Sequence, residues 1–178
     1  MYDNYFEDLE QEAEQFLAHY EVPEEVILDD KYLADLLVKN YPYEIRFIDE
    51  KKYPELVGIR SLLVQRNDKL RLLISPQLDA NQRAFIYGRE LGYQYMKLKN
   101  RLNTTHLVEA ESFEQLLNNY KASYFASAII IKGNVLAKKL GAFFEQPHFD
   151  GEALVNMIEY FNSTPESFCY RLSNILPK

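Results

Sequence analysis

The residues best placed to do chemistry lie within the segment 81–96, NQRAFIYGRELGYQYM. In this segment Glu90 stands between Arg89 and Tyr93. Arg89 and Tyr93 are four residues apart, so on a helix they share one face. We expect Lys121, in a later apolar segment, to approach that face from a neighbouring helix. One carboxylate, one phenol and two cations would then meet at a single place.

This spacing is that of a helical zinc motif with its ligands replaced. In His-Glu-x-x-His the two histidines reach one metal and the glutamate activates a water molecule. Here Arg89 and Tyr93 hold the histidine positions. An arginine has no lone pair to offer, and a tyrosine would bind only as a phenolate. We therefore expect no metal, no cofactor and no catalytic residue, with Glu90 as the surviving general-base position.

The frame around these residues resembles the ImmA/IrrE family of zinc-peptidase-like domains. Arg83, Phe85 and the run 90–92 match its first motif, and the run 121–126, KASYFA, matches the frame of its second. The closing segment 163–176 is similar to the family's C-terminal helix. The resemblance implies that Lys121 stands where the third metal ligand belongs.

The resemblance also implies a fold and a function. The fold would be a zincin-like α+β domain, with a small, mostly antiparallel sheet of about three strands against several helices. The function would be that of a non-catalytic pseudopeptidase: a sensory or protein-interaction domain of a bacterial helix-turn-helix transcription regulator. Its binding residues would be Arg89, Glu90, Tyr93 and Lys121. A metallopeptidase with an atypical metal site, and a structural domain of phage or mobile-element origin, remain open alternatives.

Three arrangements of the charges are open. Arg89 and Lys121 could form an ion-pair cluster with Glu90 that holds two helices together. One cation could instead stay free for a carboxylate or phosphate ligand, or Arg89 could turn out to solvent. The expected partner is thus a small anionic metabolite or a partner regulator protein, and a homodimer is left open.

Composition narrows the class of protein. The chain has 178 residues, 47% of them apolar, and a formal net charge of -7. Such an acidic domain lacks the clustered Lys and Arg that bind a phosphate backbone, so we expect no direct nucleic-acid binding. A single cysteine excludes an internal disulfide, and no apolar run is long enough to span a bilayer. These features favour a cytoplasmic protein.

Periodicity predicts the elements that position these residues. Strands are expected over 43–47, 59–65 and 70–75, the last two joined by a hairpin turn at 66–69. Helices are expected over 2–21, from Asp29 or Asp30 to about 41, from Asp79 or Asn81 to about 98, and over 112–131, 134–144, 151–161 and 165–175. The chain would form a single domain, 1–178, with a core at 1–132 and a helical C-terminal part at 133–178, and it could be a fragment of a longer regulator.

Some residues outside the motif also carry expectations. On the helix 112–131 the inward face is expected to include Phe113, Leu116, Leu117, Tyr120 and Tyr124. Cys169 is expected in the core, and His19 and His148 at the surface. His106, close to Glu109 and Glu111, is either a surface residue or an improvised metal ligand.

Overall fold

The computed structural model describes residues 5–66, 69–103 and 112–176. Their element order confirms the predicted succession of helices and strands. The helices are α1 Glu7–His19, α2 Asp30–Asn40, α3 Ala80–Tyr95, α4 Phe113–Ile130, α5 Gly133–Phe144, α6 Gly151–Tyr160 and α7 Pro165–Ile175. The strands are β1 Tyr43–Phe47, β2 Ser61–Arg66 and β3 Lys69–Ile74, and a short 3-10 turn covers Pro54–Leu56.

Short polar side chains set where most helices begin. An oxygen at the N-cap accepts a hydrogen bond from a backbone N–H of the first turn, which would otherwise lack a partner. This role is taken by Asp29, Asp79, Ser112, Asp150 and Thr164. At α3 the Gln82 side chain also accepts from the Asp79 backbone, which completes a capping box.

The three strands form one mixed sheet in the order β1-β3-β2. The predicted hairpin is confirmed, since β2 and β3 pair antiparallel from Ser61 opposite Ile74 to Arg66 opposite Lys69. Residues 67 and 68 of its turn lie outside the described part of the chain. β1 pairs parallel with β3, so the sheet is mixed rather than mostly antiparallel. The predicted α+β class is confirmed.

Helices α3 and α4 approach each other unusually closely through two glycines. A Cβ built on Gly92 would lie 2.9 Å from Cδ1 of Phe125, and one built on Gly88 would lie 3.1 Å from Cβ of Ala126. Only glycine fits where two backbones come so close. Because Gly88 faces Ala126 while Gly92 faces Ala122, the two helices run antiparallel.

The predicted inward face of α4 is wrong over its first turns. Phe113 is 77% exposed and Leu116 44%, whereas Tyr124 is fully buried. Since α3 and α4 are antiparallel and α3 ends at Tyr95, the first turns of α4 extend past the helix that covers the rest. Cys169 is likewise exposed on α7 rather than part of the core.

A buried ion pair joins the first helix to the last. The side chain of Arg171 is fully buried, and its two Nη atoms donate to the carboxylate of Glu10, with Nη2 at 2.7 Å from Oε2. Tyr124 donates to the same carboxylate at 2.5 Å. Burial raises the pKa of Glu10, but the Arg171 guanidinium and the Tyr124 hydroxyl outweigh it and hold the pKa below its usual range.

Candidate functional site

The segment that follows α3 brings a further arginine to the motif helix. Lys97 adopts a left-handed conformation with φ 55°, which ends the helix. The Leu98 amide then donates to the Tyr93 carbonyl at 2.9 Å. This turn directs the chain back toward the sheet.

Two hydrogen bonds hold the returning segment between α4 and the sheet. The Asn118 side chain donates to the Asn100 carbonyl at 2.8 Å. The Leu63 amide, at the outer edge of β2, donates to the Asn103 carbonyl at 2.8 Å. Arg101 lies between these two anchors, so its backbone is fixed on both sides.

Glu90 is buried, and both of its oxygens have partners. Nη2 of Arg101 donates to Oε1 at 2.6 Å and to Oε2 at 2.7 Å. The Tyr43 hydroxyl, at the start of β1, donates to Oε2 at 2.7 Å. The Arg101 guanidinium also lies 3.9 Å above the Tyr93 ring, in a cation–π contact. The carboxylate is therefore enclosed by a cation and a phenol.

Electrostatics fix the protonation states of Arg101 and Tyr43. Burial would lower the pKa of Arg101, but the charge and hydrogen bonds of Glu90 outweigh it and raise the pKa. Burial and the adjacent Glu90 charge both raise the pKa of Tyr43 well above its usual value. At neutral pH the arginine is charged and the phenol keeps its proton.

Arg89 and Tyr93, one turn apart on α3, converge on a single residue of α4. Nη2 of Arg89 donates to Oδ1 of Asn119 at 2.8 Å, and the Tyr93 hydroxyl donates to the same oxygen at 3.3 Å. Nε of Arg89 is buried and has no hydrogen-bond partner within the described chain. The charged guanidinium of Arg89 is therefore hydrogen-bonded to a neutral amide.

Of the three arrangements left open by the sequence, the cluster of Glu90 with Arg89 and Lys121 is not the one observed, because Glu90 pairs with Arg101. Lys121 is half-buried and forms no hydrogen bond or ion pair with any residue the structure describes. Residues two positions apart on an α-helix are rotated by about 200° around its axis, so Lys121 points away from the flank of α4 that carries Asn119. Asn119, rather than Lys121, is therefore the polar α4 residue that bonds to Arg89 and Tyr93 of the motif helix.

The donor set at this place does not suit a zinc ion. A catalytic zinc takes three ligands from His, Cys, Asp or Glu, whereas Arg89, Tyr93 and Asn119 supply none of these. Among the described residues no three such side chains are grouped so that they could hold a metal. His106, considered above as an improvised ligand, lies outside the described residues.

Two pockets flank the network. The larger, about 560 Å³, is lined by Tyr93, Arg101 and the exposed Lys97 and Lys99, beside the strands β2 and β3. The smaller, about 230 Å³, is lined by Arg89 of α3 and by the first turn of α7. The Arg89–Asn119 and Glu90–Arg101 interactions thus adjoin open space on both sides.

Sequence reasoning missed three residues of this network, namely Tyr43, Arg101 and Asn119. Tyr43 was placed only as a strand residue, and Arg101 follows α3 without any motif. Asn119 stands two residues from Lys121, so its role depends on how α4 is rotated against α3. The glycines at 88 and 92 are the one sequence signal of that rotation.

Comparisons with known proteins bear on the fold. No protein-family model matches the chain, and no curated protein matches it. A solved structure described as a Mycobacterium tuberculosis transcriptional regulator superposes with a TM-score of 0.67 at 18% sequence identity. The match covers 99% of this chain and 50% of that chain, so this protein spans half the length of the regulator. At this identity the match shows a shared fold.

Within the described residues, no helix is both long enough and apolar enough to cross a membrane.

Proposed function

We propose that this chain is a non-catalytic regulatory domain of a transcription regulator. In this proposal it is an ImmA/IrrE-like domain whose metal site has been replaced by a polar network, and it responds to a small anionic metabolite. The observation that carries the proposal is the enclosure of Glu90 by Arg101 and Tyr43. A similar fold in a protein described as a transcriptional regulator supports the regulatory role.

The state of Glu90 argues against peptide hydrolysis. A general base needs a free lone pair directed at a water molecule. Both oxygens of Glu90 already accept short hydrogen bonds, from 2.6 to 2.7 Å, and a charged guanidinium holds them. Taking a proton would require breaking that buried pair, which is costly.

The state of Arg89 supports an anionic ligand. A buried or half-buried cation is normally paired with an anion. The hydrogen-bond partner of Arg89 is the Asn119 amide, and its Nε has no partner among the described residues. The positive charge at this position is therefore available to a carboxylate or a phosphate group.

A metal-binding experiment with a rebuilt site tests the loss of zinc chemistry. The wild-type protein should retain no stoichiometric zinc after dialysis and should not cleave casein. The triple variant Arg89→His/Tyr93→His/Asn119→Glu should bind about one zinc per chain, because it restores three ligands on facing helices. Elemental analysis measures the zinc content of the wild type and of the triple variant, and a competition titration with a chelating dye measures the zinc affinity of the variant.

A matched control decides which α4 position faces the motif. The variant Arg89→His/Tyr93→His/Lys121→Glu has the same composition but carries its carboxylate on the other flank of α4. It should bind zinc at least about 100-fold more weakly, as expected when one ligand of three is lost. Tighter zinc binding by this control would contradict the assignment of Asn119. A wild-type protein that holds zinc and cleaves peptide would contradict the proposed function.

A further inference from the structure

Two arginines line the smaller pocket, and neither is paired with a carboxylate among the described residues. Arg60, which precedes β2, and Arg89, on α3, both border this space of about 230 Å³. Neither forms a salt bridge with a residue in the described part of the chain. Two guanidinium groups at one pocket repel each other, and an anion between them turns that repulsion into attraction.

The backbone beside Arg60 is fixed in place. The Ser75 amide, just after β3, donates to the Arg60 carbonyl at 2.9 Å. The Arg60 side chain is exposed, so it can move onto a ligand, whereas Arg89 is half-buried and already positioned by Asn119. One arginine therefore forms a fixed wall of the pocket and the other can close over it.

A hydroxyl group supplies a further donor. Thr164 and Ser167, in the first turn of α7, line the same pocket. The Thr164 hydroxyl donates to Oγ of Ser167 at 3.1 Å. Ser167 accepts that bond, so its own hydrogen can be donated to a bound anion.

One carboxylate also lines the pocket. Glu166 is exposed and forms no salt bridge with any described residue. With two arginines and this glutamate, the charged lining residues carry a net charge of +1. Glu166 therefore competes with an anionic ligand for the arginines, which makes it a useful position for a test.

We propose that this pocket binds the phosphate group of a small phosphomonoester. The inference rests on the proposed sensing function and specifies its ligand. Guanidinium groups present paired N–H donors that match the oxygens of a phosphate, and two arginines suit a dianion better than a single carboxylate. The pocket is smaller than the roughly 300–1,000 Å³ of sites for drug-sized ligands, which favours a compact ligand.

Calorimetric titration with inorganic phosphate, at low ionic strength, tests the proposal. Phosphate should bind the wild-type protein, and Arg60→Ala should weaken binding about 10- to 100-fold, as expected for a lost hydrogen bond to a charged group. Glu166→Gln should tighten binding, because it removes the competing carboxylate. Lys121→Met, a cation change outside this pocket, should bind phosphate as the wild type does. Circular dichroism checks that each variant is folded.

The possible failures separate the ligand from the function. No binding of phosphate to the wild type, or equal binding by wild type and Arg60→Ala, overturns the proposed pocket. Loss of binding in Lys121→Met but not in Arg60→Ala also overturns it and places the anion on the other flank of α4. If acetate or succinate raises the melting temperature and phosphate does not, the ligand class is wrong and the sensing function stands. If the wild-type protein retained zinc and cleaved peptide, the proposed sensing function itself would be contradicted.

Discussion

At the scale of single residues, Arg101 is the side chain on which the buried carboxylate depends. Arg101→Met should lower the free energy of unfolding by about 3–5 kcal/mol, because it leaves Glu90 buried without a counter-charge. Chemical denaturation in urea measures the change. In the wild type the exposed fractions of the two side chains are 12% and 6%, so solvent cannot replace the lost partner.

Two further variants make this prediction specific. The double change Glu90→Gln/Arg101→Met should recover much of the lost stability, since no unpaired charge then remains. The exposed pair of Lys39 and Asp35, 71% and 69% exposed, serves as the control. Lys39→Met should change stability by less than about 1 kcal/mol. An equal loss of stability from Arg101→Met and Lys39→Met would mean that burial does not make the Glu90–Arg101 pair more important than an exposed pair.

The site could be read from the sequence only in part. Arg89, Glu90 and Tyr93 are close in sequence, so a helical spacing was enough to place them on one helix. Tyr43 lies 47 residues from Glu90, and Arg101 reaches it only because the chain turns at Lys97. Contacts of that kind depend on the direction of a loop, for which the sequence carries no periodic signal.

At the scale of elements, the glycine contact between α3 and α4 is the most sensitive feature of the fold. Gly92→Ala should lower the free energy of unfolding by about 1–2 kcal/mol. The new methyl group would overlap the buried Phe125 ring at 2.9 Å, and this outweighs the gain in helix propensity. Thermal or urea denaturation measures the net effect.

Gly141 provides a matched control on α5. A Cβ at Gly141 meets nothing within 4 Å. Gly141→Ala should therefore stabilise the protein by up to about 1 kcal/mol, through helix propensity alone. If Gly92→Ala and Gly141→Ala were both stabilising, the prediction that a side chain at position 92 disturbs the packing of α3 on α4 would be contradicted.

Some helix starts were predictable because they depend on local chemistry, whereas α1 is shorter than the predicted 2–21 and α3 ends before the predicted 98. Asp29 and Asp79, each one of two start positions that the sequence offered, cap α2 and α3, since an N-cap acts within three residues. The exposure of Phe113 was not predictable. It depends on where α3 ends relative to α4, and periodicity along one helix does not report the length of its neighbour.

At the scale of the whole molecule, the pair of Glu10 and Arg171 makes stability depend on pH. The pKa of Glu10 is lower in the folded protein than in the unfolded chain. Its contribution is therefore present above the unfolded pKa of about 4.3 and is lost as the pH falls through the folded pKa. Urea denaturation across pH 7 to 3 should show the free energy of unfolding falling most steeply below about pH 4.5.

Glu10→Gln should flatten this acid dependence, because a glutamine does not titrate. Arg171→Met should flatten it too, since it removes the guanidinium that lowers the Glu10 pKa. Both variants should be less stable than the wild type at pH 7, where the pair is intact. If the free energy of unfolding fell with decreasing pH as steeply in both variants as in the wild type, other carboxylates would govern acid unfolding.

The close packing of α3 on α4 has a consequence for how such a domain can evolve. The two helices are held together by glycine and alanine backbones in direct contact, at positions 88, 92, 122 and 126. Residues 89, 93 and 119 lie beside this contact and are not part of it. Substitutions at the half-buried positions 89 and 119 can therefore change the chemistry of the site without altering the contact that holds the helix pair together.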